Sequence, residues 1–215
     1  MSELVLAINR DELNGYGVIG LDLSEINGQN YAFLPREFAD NKSHGAVALG
    51  YIMPQILGYF QFVNDEGQYF AYQRKGKEKG LFGQWSIGIG GHVSQEDLFD
   101  VREHTDEDYP DIATLIYAGA LRELQEEVGI DARWFPEFNS VEDFIEAVDR
   151  ALVSNTTVTS AVHVGIPLTI NVSSFIDQMN LDPAEFCNFK WVTVEELQTN
   201  VDQYEDWSQM LIKTM

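Results

Sequence analysis

Apolar positions along this chain change their spacing from segment to segment, and the spacing predicts the elements. "ELVLAINRDEL" reads as a first strand ending in a polar turn, and Gly15, Gly17 and Gly20 punctuate the next ten residues. "QILGYFQFVNDEGQYFAYQRK" holds two aromatic-rich, β-prone runs around Asn64-Asp65-Glu66-Gly67, which is a hairpin signal. "LFGQWSIGIGGHV" predicts a short strand ending in paired glycines. "TVTSAVHVGIPLTINV" is a long β-branched run expected as an inner strand, with Pro167 demoting its far end towards an edge or bulge. "FCNFKWVTVEELQ" predicts a strand followed by a helix, with Thr193 as cap and Glu196 completing a capping box.

Helical spacing runs from Ile112 to about Val128, and Gly129 stands where a C-terminal cap belongs. "SVEDFIEAVDRAL" predicts an amphipathic helix with Ser140 as N-cap and Asp143 three positions later, and "YEDWSQMLIKTM" predicts a closing helix. Two stretches carry no clear period. "SEINGQNYAFLPREFADNKSHG" is polar and irregular, while "SQEDLFDVREHTDEDYPD" is acidic, apolar only in places and broken by Pro110, so an exposed excursion is expected there. Strands and helices mix without strict alternation and without an internal repeat. That mixture predicts a mixed β-sheet sandwiched between helices.

Composition adds constraints. The 215 residues, 45% hydrophobic, suffice for a sizeable core in a single globular body. Thirty-five acidic against 13 basic residues leave a net charge of −22. Such a surface repels nucleic-acid phosphates, so no duplex partner is expected. It repels phosphorylated small molecules too, so binding one requires a divalent cation or a local basic patch. Residues Met1 to Arg10 are too short and polar for a signal peptide, and no apolar run approaches the roughly 18 residues that cross a bilayer. A cytoplasmic protein with no membrane partner is expected. The lone Cys187 has no internal disulfide partner and is expected as a packed core thiol.

One stretch stands out against this charge. "ALRELQEEVGI", Ala120 to Ile130, adds three glutamates to an already acidic chain. At 100° per residue, Glu126 and Glu127 fall about 60° and 40° to either side of Glu123, so the three carboxylates share one arc. Tyr117, Leu121, Leu124 and Val128 fall opposite and can pack on a sheet. Arg122, four residues before Glu126, can reach a carboxylate one turn away. One cation does not neutralise three anions. A hard divalent ion such as Mg²⁺ or Mn²⁺ would, while a solvated acidic face is the alternative that the helix alone leaves open.

Arg122 through Ile130 resembles the second half of the Nudix box, G-x5-E-x7-R-E-U-x-E-E-x-G-U with U aliphatic, and matches its fixed positions. "GGHV", Gly90 to Val93, resembles the glycine-led strand end that opens the box. "AYQRKGKEKGLFGQWSIGIGGHV" and "TSAVHVGIPL" are similar to a subgroup described as predicted Nudix phosphoesterases, and "FLPREF" and "FKWVTVEEL" extend the likeness over most of the chain. The departure lies in the first half. Counting from Gly91, its glutamate falls at Asp97, and 24 residues separate Asp97 from Arg122 where the family has seven. An insertion of about 17 residues in an exposed loop is tolerable. Glu96, Glu103, Glu107 and Asp108 are other candidates for the first-half carboxylate.

The resemblance implies an α/β (α+β) fold, a Nudix-like α/β/α sandwich with a mixed sheet. It implies one domain over 1–215, with 1–50 as an N-terminal extension and 94–111 as an inserted loop. It also implies a hydrolase that cleaves the diphosphate linkage of a nucleoside diphosphate derivative or another organic pyrophosphate, using a metal-activated water. In that reading Glu123, Glu126 and Glu127, with the Gly91 carbonyl nearby, hold Mg²⁺ or Mn²⁺. Arg122 orients Glu123 or Glu126, and Glu123 or Glu127 serves as base. The carboxylates titrate as a coupled set, so the base is not assigned to one of them.

Substrate contacts are read from the residues. Arg74, Lys75, Lys77 and Lys79 form a local basic patch that attracts phosphate or, equally, a solvated loop. Trp85 and Tyr59 are placed either to stack a base or to pack in the core. His92 comes directly after the paired glycines and is positioned for phosphate or proton transfer. His163 reads as a hydrogen-bonded sheet histidine with a site role open, and His44 and His104 have no interpretable context. A homodimer sharing the site is left open. Two other function classes remain: a non-catalytic Nudix module that senses a nucleotide, and an isomerase of isopentenyl-diphosphate type, which would depend on Cys187.

Overall fold

The computed structural model describes residues 3–26, 31–40, 47–48, 51–75, 82–104, 110–181 and 186–215. Its strands are β1 (Leu4–Ile8), β2 (Gly17–Gly20), β3 (Tyr31–Pro35), β4 (Val47–Ala48), β5 (Tyr51–Ile52), β6 (Gln55–Val63), β7 (Tyr69–Arg74), β8 (Trp85–Ser86), β9 (Gly88–His92), β10 (Arg150–Val153), β11 (His163–Asn171) and β12 (Phe186–Val192). The helices are α1 (Arg36–Ala39), α2 (Gln95–His104), α3 (Ile112–Glu123), α4 (Val141–Ala147), α5 (Val194–Thr199) and α6 (Asp206–Ile212).

β6 is the organising strand. One of its edges pairs in parallel with β11 over nine residues, His163↔Gln55 to Asn171↔Val63. The other edge is shared in turn by β1 at Gln55, β9 from Leu57 to Gln61, and the β7 hairpin at Val63. All other pairings between these strands are antiparallel, so the sheet is mixed, running β12-β7-β6-β11-β10-β2, with β4 and β5 forming a separate ribbon. Side chains alternate along β6. Phe60 and Phe62 join a core with Leu115, Ile116, Phe138 and Phe144 from the α3 and α4 side, whereas Tyr59 joins Leu197, Trp207 and Leu211 under α5 and α6. Helices cover both faces, as the strand and helix spacing predicts.

The expected hairpin turn forms with Gly67 at φ 72°, and Thr193 and Glu196 make the capping box. β10 pairs β11 only at Val164 and Gly165, so Pro167 stands where that edge has lost its partner. Three expectations are corrected. The acidic excursion begins as α2, because Leu98 and Val101, three apart, turn one face inward. The helix starting at Ser140 stops at Ala147, since Arg150–Val153 is claimed as a strand between β2 and β11, tertiary pairing overriding helical periodicity. Cys187 is only partly buried, its thiol donating to the Gln73 carbonyl at 3.3 Å. The irregular N-terminal stretch supplies β3 and α1, and β3 pairs with β1 along its full length. Among the described residues no helix is long and apolar enough to cross a membrane.

Candidate active site

Asp111 caps α3 by accepting from the Thr114 amide at 2.8 Å, and the helix buries Ile112, Leu115, Ile116 and Ala120 against the sheet. At Glu123 it widens into a π-turn, Leu124–Val128, which Gly129 ends in the left-handed conformation at φ 72°. Single π-turns of this kind mark functional sites. Leu124 and Val128 stay buried while Glu123, Glu126 and Glu127 all line one cavity of about 670 Å³, so the three carboxylates converge as their spacing predicts.

Arg122 ties the cavity wall together. Its Nε and Nη2 donate to the buried Asp97 at 2.8 and 3.1 Å, Nη2 also donates to the His92 carbonyl at 2.7 Å, and Nη1 reaches Glu123 at 2.8 Å and Glu126 at 3.0 Å. Asp97 accepts in addition from the Ser94 amide at 2.7 Å. The carboxylate at the first-half position thus holds the arginine, and the arginine joins α2, β9 and α3. Burial opposes the charge on Arg122, but the hydrogen bond and charge of Asp97, with those of Glu123, outweigh it and raise its pKa. One guanidinium shared by three carboxylates leaves excess negative charge on the wall. Burial in turn raises the Glu123 pKa above its ordinary value against the pull of Arg122.

Gly91 explains how Glu123 comes so close to β9. A Cβ at Gly91 would sit 2.1 Å from Glu123 Cδ and 2.2 Å from its Cγ. Only a flexible side chain would have to move, so Gly91→Ala should cost about 1 kcal/mol of stability, the low end for overpacking. The displaced carboxylate should nonetheless cost about 10²-fold in turnover. Urea denaturation beside steady-state kinetics measures both, and an unimpaired Ala variant would refute the close approach.

The rest of the cavity comes from distant segments. Glu3, Arg36 and Asp40 enter from the N-terminal strands and α1, Arg74 from β7, and Glu205 and Asp206 from the start of α6. Among the described residues the lining carries seven carboxylates and three arginines. Tyr59 forms part of the floor, its hydroxyl donating to the buried Glu205, which also caps α6 through the Trp207 and Ser208 amides at 2.9 Å each. His92 lies beside His163, whose Nδ1 is 2.8 Å from the Thr159 carbonyl. Burial, then the neighbouring His163, Arg36 and Arg122, hold the His92 pKa well below its ordinary value, so it is neutral at pH 7.

Among the described residues no group of three or more His, Cys, Asp or Glu side chains is placed to hold a metal ion by itself. The donor set still suits a hard cation. Mg²⁺ keeps several waters and binds through one or two carboxylates plus substrate phosphates, so an open carboxylate wall of all-oxygen donors fits it.

A family model, the NUDIX domain, matches residues 57–211. The chain belongs to the Nudix family. No curated protein sequence matches it. Among solved structures, Tm1382, a candidate Nudix hydrolase, superposes with a TM-score of 0.66 at 17% identity, over 98% of this chain and 97% of that one. A Nudix hydrolase from Alicyclobacillus acidocaldarius gives 0.46 at 12% identity over 74% and 90% of the two chains. DR0079 from Deinococcus radiodurans gives 0.44 at 15% over 74% and 82%. The Tm1382 likeness extends over the N-terminal strands that precede the family match, so the two chains share the fold over that length.

Of the residues singled out from sequence, this Nudix chain brings Glu123, Glu126, Glu127, Arg122, Gly91, His92 and Arg74 to one cavity. Lys75 and Trp85 stand outside its lining, Trp85 lying under the Lys190 ammonium at 4.5 Å. Lys77, with Lys79 and His44, lies outside the described residues. The Nudix box did not announce Arg36, Asp40 or Glu205, because nothing local in sequence ties them to Glu123.

Proposed function

We propose that this Nudix chain is a divalent-metal-dependent hydrolase that cleaves the diphosphate linkage of a nucleoside diphosphate derivative or a related organic pyrophosphate. The observation that carries the reading is the convergence of Glu127 with Glu123 and Glu126, the latter two held by Arg122, on a cavity large enough for a small organic ligand. An acidic cavity repels a diphosphate unless cations intervene, and these carboxylates, with Gly91, are the residues that would hold Mg²⁺ or Mn²⁺. Such an ion would supply charge neutralisation of the diphosphate and lower the pKa of a water.

The chain's own groups do the remaining work. Arg122 fixes the rotamers of Glu123 and Glu126, which orients both carboxylates without reaching the substrate. Glu123 or Glu127 takes the proton from the attacking water, and burial already favours a proton on Glu123. Arg74, on the same wall, is the substrate-facing cation in this reading, and His92 offers a neutral ring to a phosphate oxygen. The chain acts as one domain, with residues 1–50 an extension that contributes Arg36 to the cavity rim.

A phosphate-release screen over ADP-ribose, dinucleoside polyphosphates, nucleotide sugars and nucleoside triphosphates, with Mg²⁺ and Mn²⁺, tests this. Turnover of at least one class is expected, and it should vanish on chelation with EDTA and return with added metal. Binding of one of these compounds without turnover would replace the hydrolase by a nucleotide sensor.

A further inference from the structure

Apart from the carboxylate turn, the cavity wall carries two imidazoles facing each other. His92 ends β9 and His163 begins β11, on opposite edges of β6, and their Nε2 atoms are 3.4 Å apart with the rings inclined at 66°. The Thr159 carbonyl can only accept, so Nδ1 of His163 carries a proton there and, in the neutral ring, Nε2 is left with its lone pair on the side of His92. As a hydrogen bond between the rings, 3.4 Å is long against the usual range of about 2.7–3.2 Å.

The separation has another meaning. Two imidazoles on one Zn²⁺, with bonds of about 2.0–2.1 Å at the tetrahedral angle, place their nitrogens about 3.3–3.4 Å apart, whereas an octahedral right angle gives about 2.9 Å. A backbone carbonyl receiving the remote Nδ1–H is also the arrangement that orients metal-binding histidines. The surrounding charge suits a cation, since carboxylates outnumber arginines in the lining. The two guanidinium groups whose charge acts on His92 are engaged, Arg36 with Glu3 at 2.8 Å and Arg122 with its three carboxylates. Trp207 closes the other side of His163, ring to ring at 6.5 Å.

We propose that His92 and His163 bind one divalent transition-metal ion, with Zn²⁺ the best match, at an open tetrahedral site separate from the hard-cation position of the glutamates. Imidazole nitrogens select Zn²⁺ and its neighbours over Mg²⁺. Among the described residues no third His, Cys, Asp or Glu completes the set, so water or a bound molecule takes the positions that open on the cavity. The inference rests on the histidine pair and not on the hydrolase reading; an ion there would take the His92 ring that the hydrolase reading offers to a phosphate oxygen.

The test uses the full chain, ¹⁵N-labelled and freed of metal. Long-range ¹H–¹⁵N spectra of the imidazole rings are recorded with and without one equivalent of Zn²⁺, and Co²⁺ absorption is recorded in parallel. The Nε2 signals of two of the four histidines should move together into the metal-bound range while one Nδ1 keeps its proton, and Co²⁺ should show the strong bands of a tetrahedral site. Both signatures should survive in Glu127→Gln and disappear in His163→Gln and His92→Gln. Losing a group that merely orients a ligand costs roughly 10- to 100-fold in affinity, so removing a ligand should weaken Zn²⁺ binding by more. Imidazole spectra that ignore Zn²⁺ overturn the proposal in the wild-type protein alone, whatever the stability of the variants. So does Co²⁺ absorption that is unchanged in His163→Gln.

Discussion

Glu123→Gln is expected to lower kcat by about 10²- to 10⁴-fold, the range for losing a positioned proton acceptor, and also to leave the metal-free protein more stable at pH 7 than the wild type. The two effects share one cause. Burial raises the folded-state pKa of Glu123, with Arg122 offsetting only part of the shift. A carboxyl whose folded pKa lies above its unfolded one binds its proton more tightly in the native state. The stabilisation from that proton is complete below the unfolded pKa and is lost as pH rises through the folded value. Burial disfavours the ionised side chain, a penalty that glutamine lacks, although its oxygen can still accept from Arg122 Nη1. The advantage of the variant should therefore shrink as pH falls through the raised folded value and be gone below the ordinary carboxyl value of 4.5. Thermal unfolding in EDTA at pH 7 and pH 4, alongside kinetics with metal, reads both effects. A variant less stable than wild type at pH 7 would mean that Arg122 outweighs burial. Undiminished turnover would remove Glu123 from the chemistry.

Arg122→Ala should destabilise the fold by about 3–5 kcal/mol, the usual result of removing one partner of a buried ion pair. Asp97 is 3% exposed and would keep only the Ser94 amide, while the His92 carbonyl would lose its donor from Nη2. Lysine should not rescue the loss, because a single ammonium cannot reproduce a fork that meets Asp97 through Nε and Nη2 and also reaches His92 and two glutamates. Removing the stranded charge as well, in Arg122→Ala with Asp97→Asn, should recover part of the stability. Urea midpoints of the four proteins form the double-mutant cycle that measures the pair. A loss under about 1 kcal/mol in Arg122→Ala would show that α2, β9 and α3 are held by packing alone.

Both predictions depend on a segment that could be read from sequence and on partners that could not. The turn from Ala120 to Ile130 is local: helical period, an i to i+4 charge pair and a stopping glycine lie within eleven residues, so the carboxylate arc follows from spacing. The hairpin at Gly67 and the capping box at Thr193 are local in the same way. Asp97 is different. It is 25 residues from Arg122, and its segment is too acidic and too sparsely apolar to signal a buried helix. Only docking of α2 against α3, with Leu98 in the core beside it, brings its carboxylate to the guanidinium. β10 shows the reverse case, a segment with helical spacing taken into the sheet because β2 and β11 leave a strand position between them.

The sequence by itself determined the family, the layered mixed-sheet class, and the turn that gathers three glutamates, because periodicity, caps and glycines act over a few residues. Tertiary structure alone decided what faces those glutamates. The parallel pairing of β6 with β11 puts His163 opposite His92, the N-terminal strands bring Arg36 to the rim, and α6 places Glu205 beneath Tyr59. These neighbours are set by strand order and helix docking across tens of residues, and no short-range period in the chain encodes them.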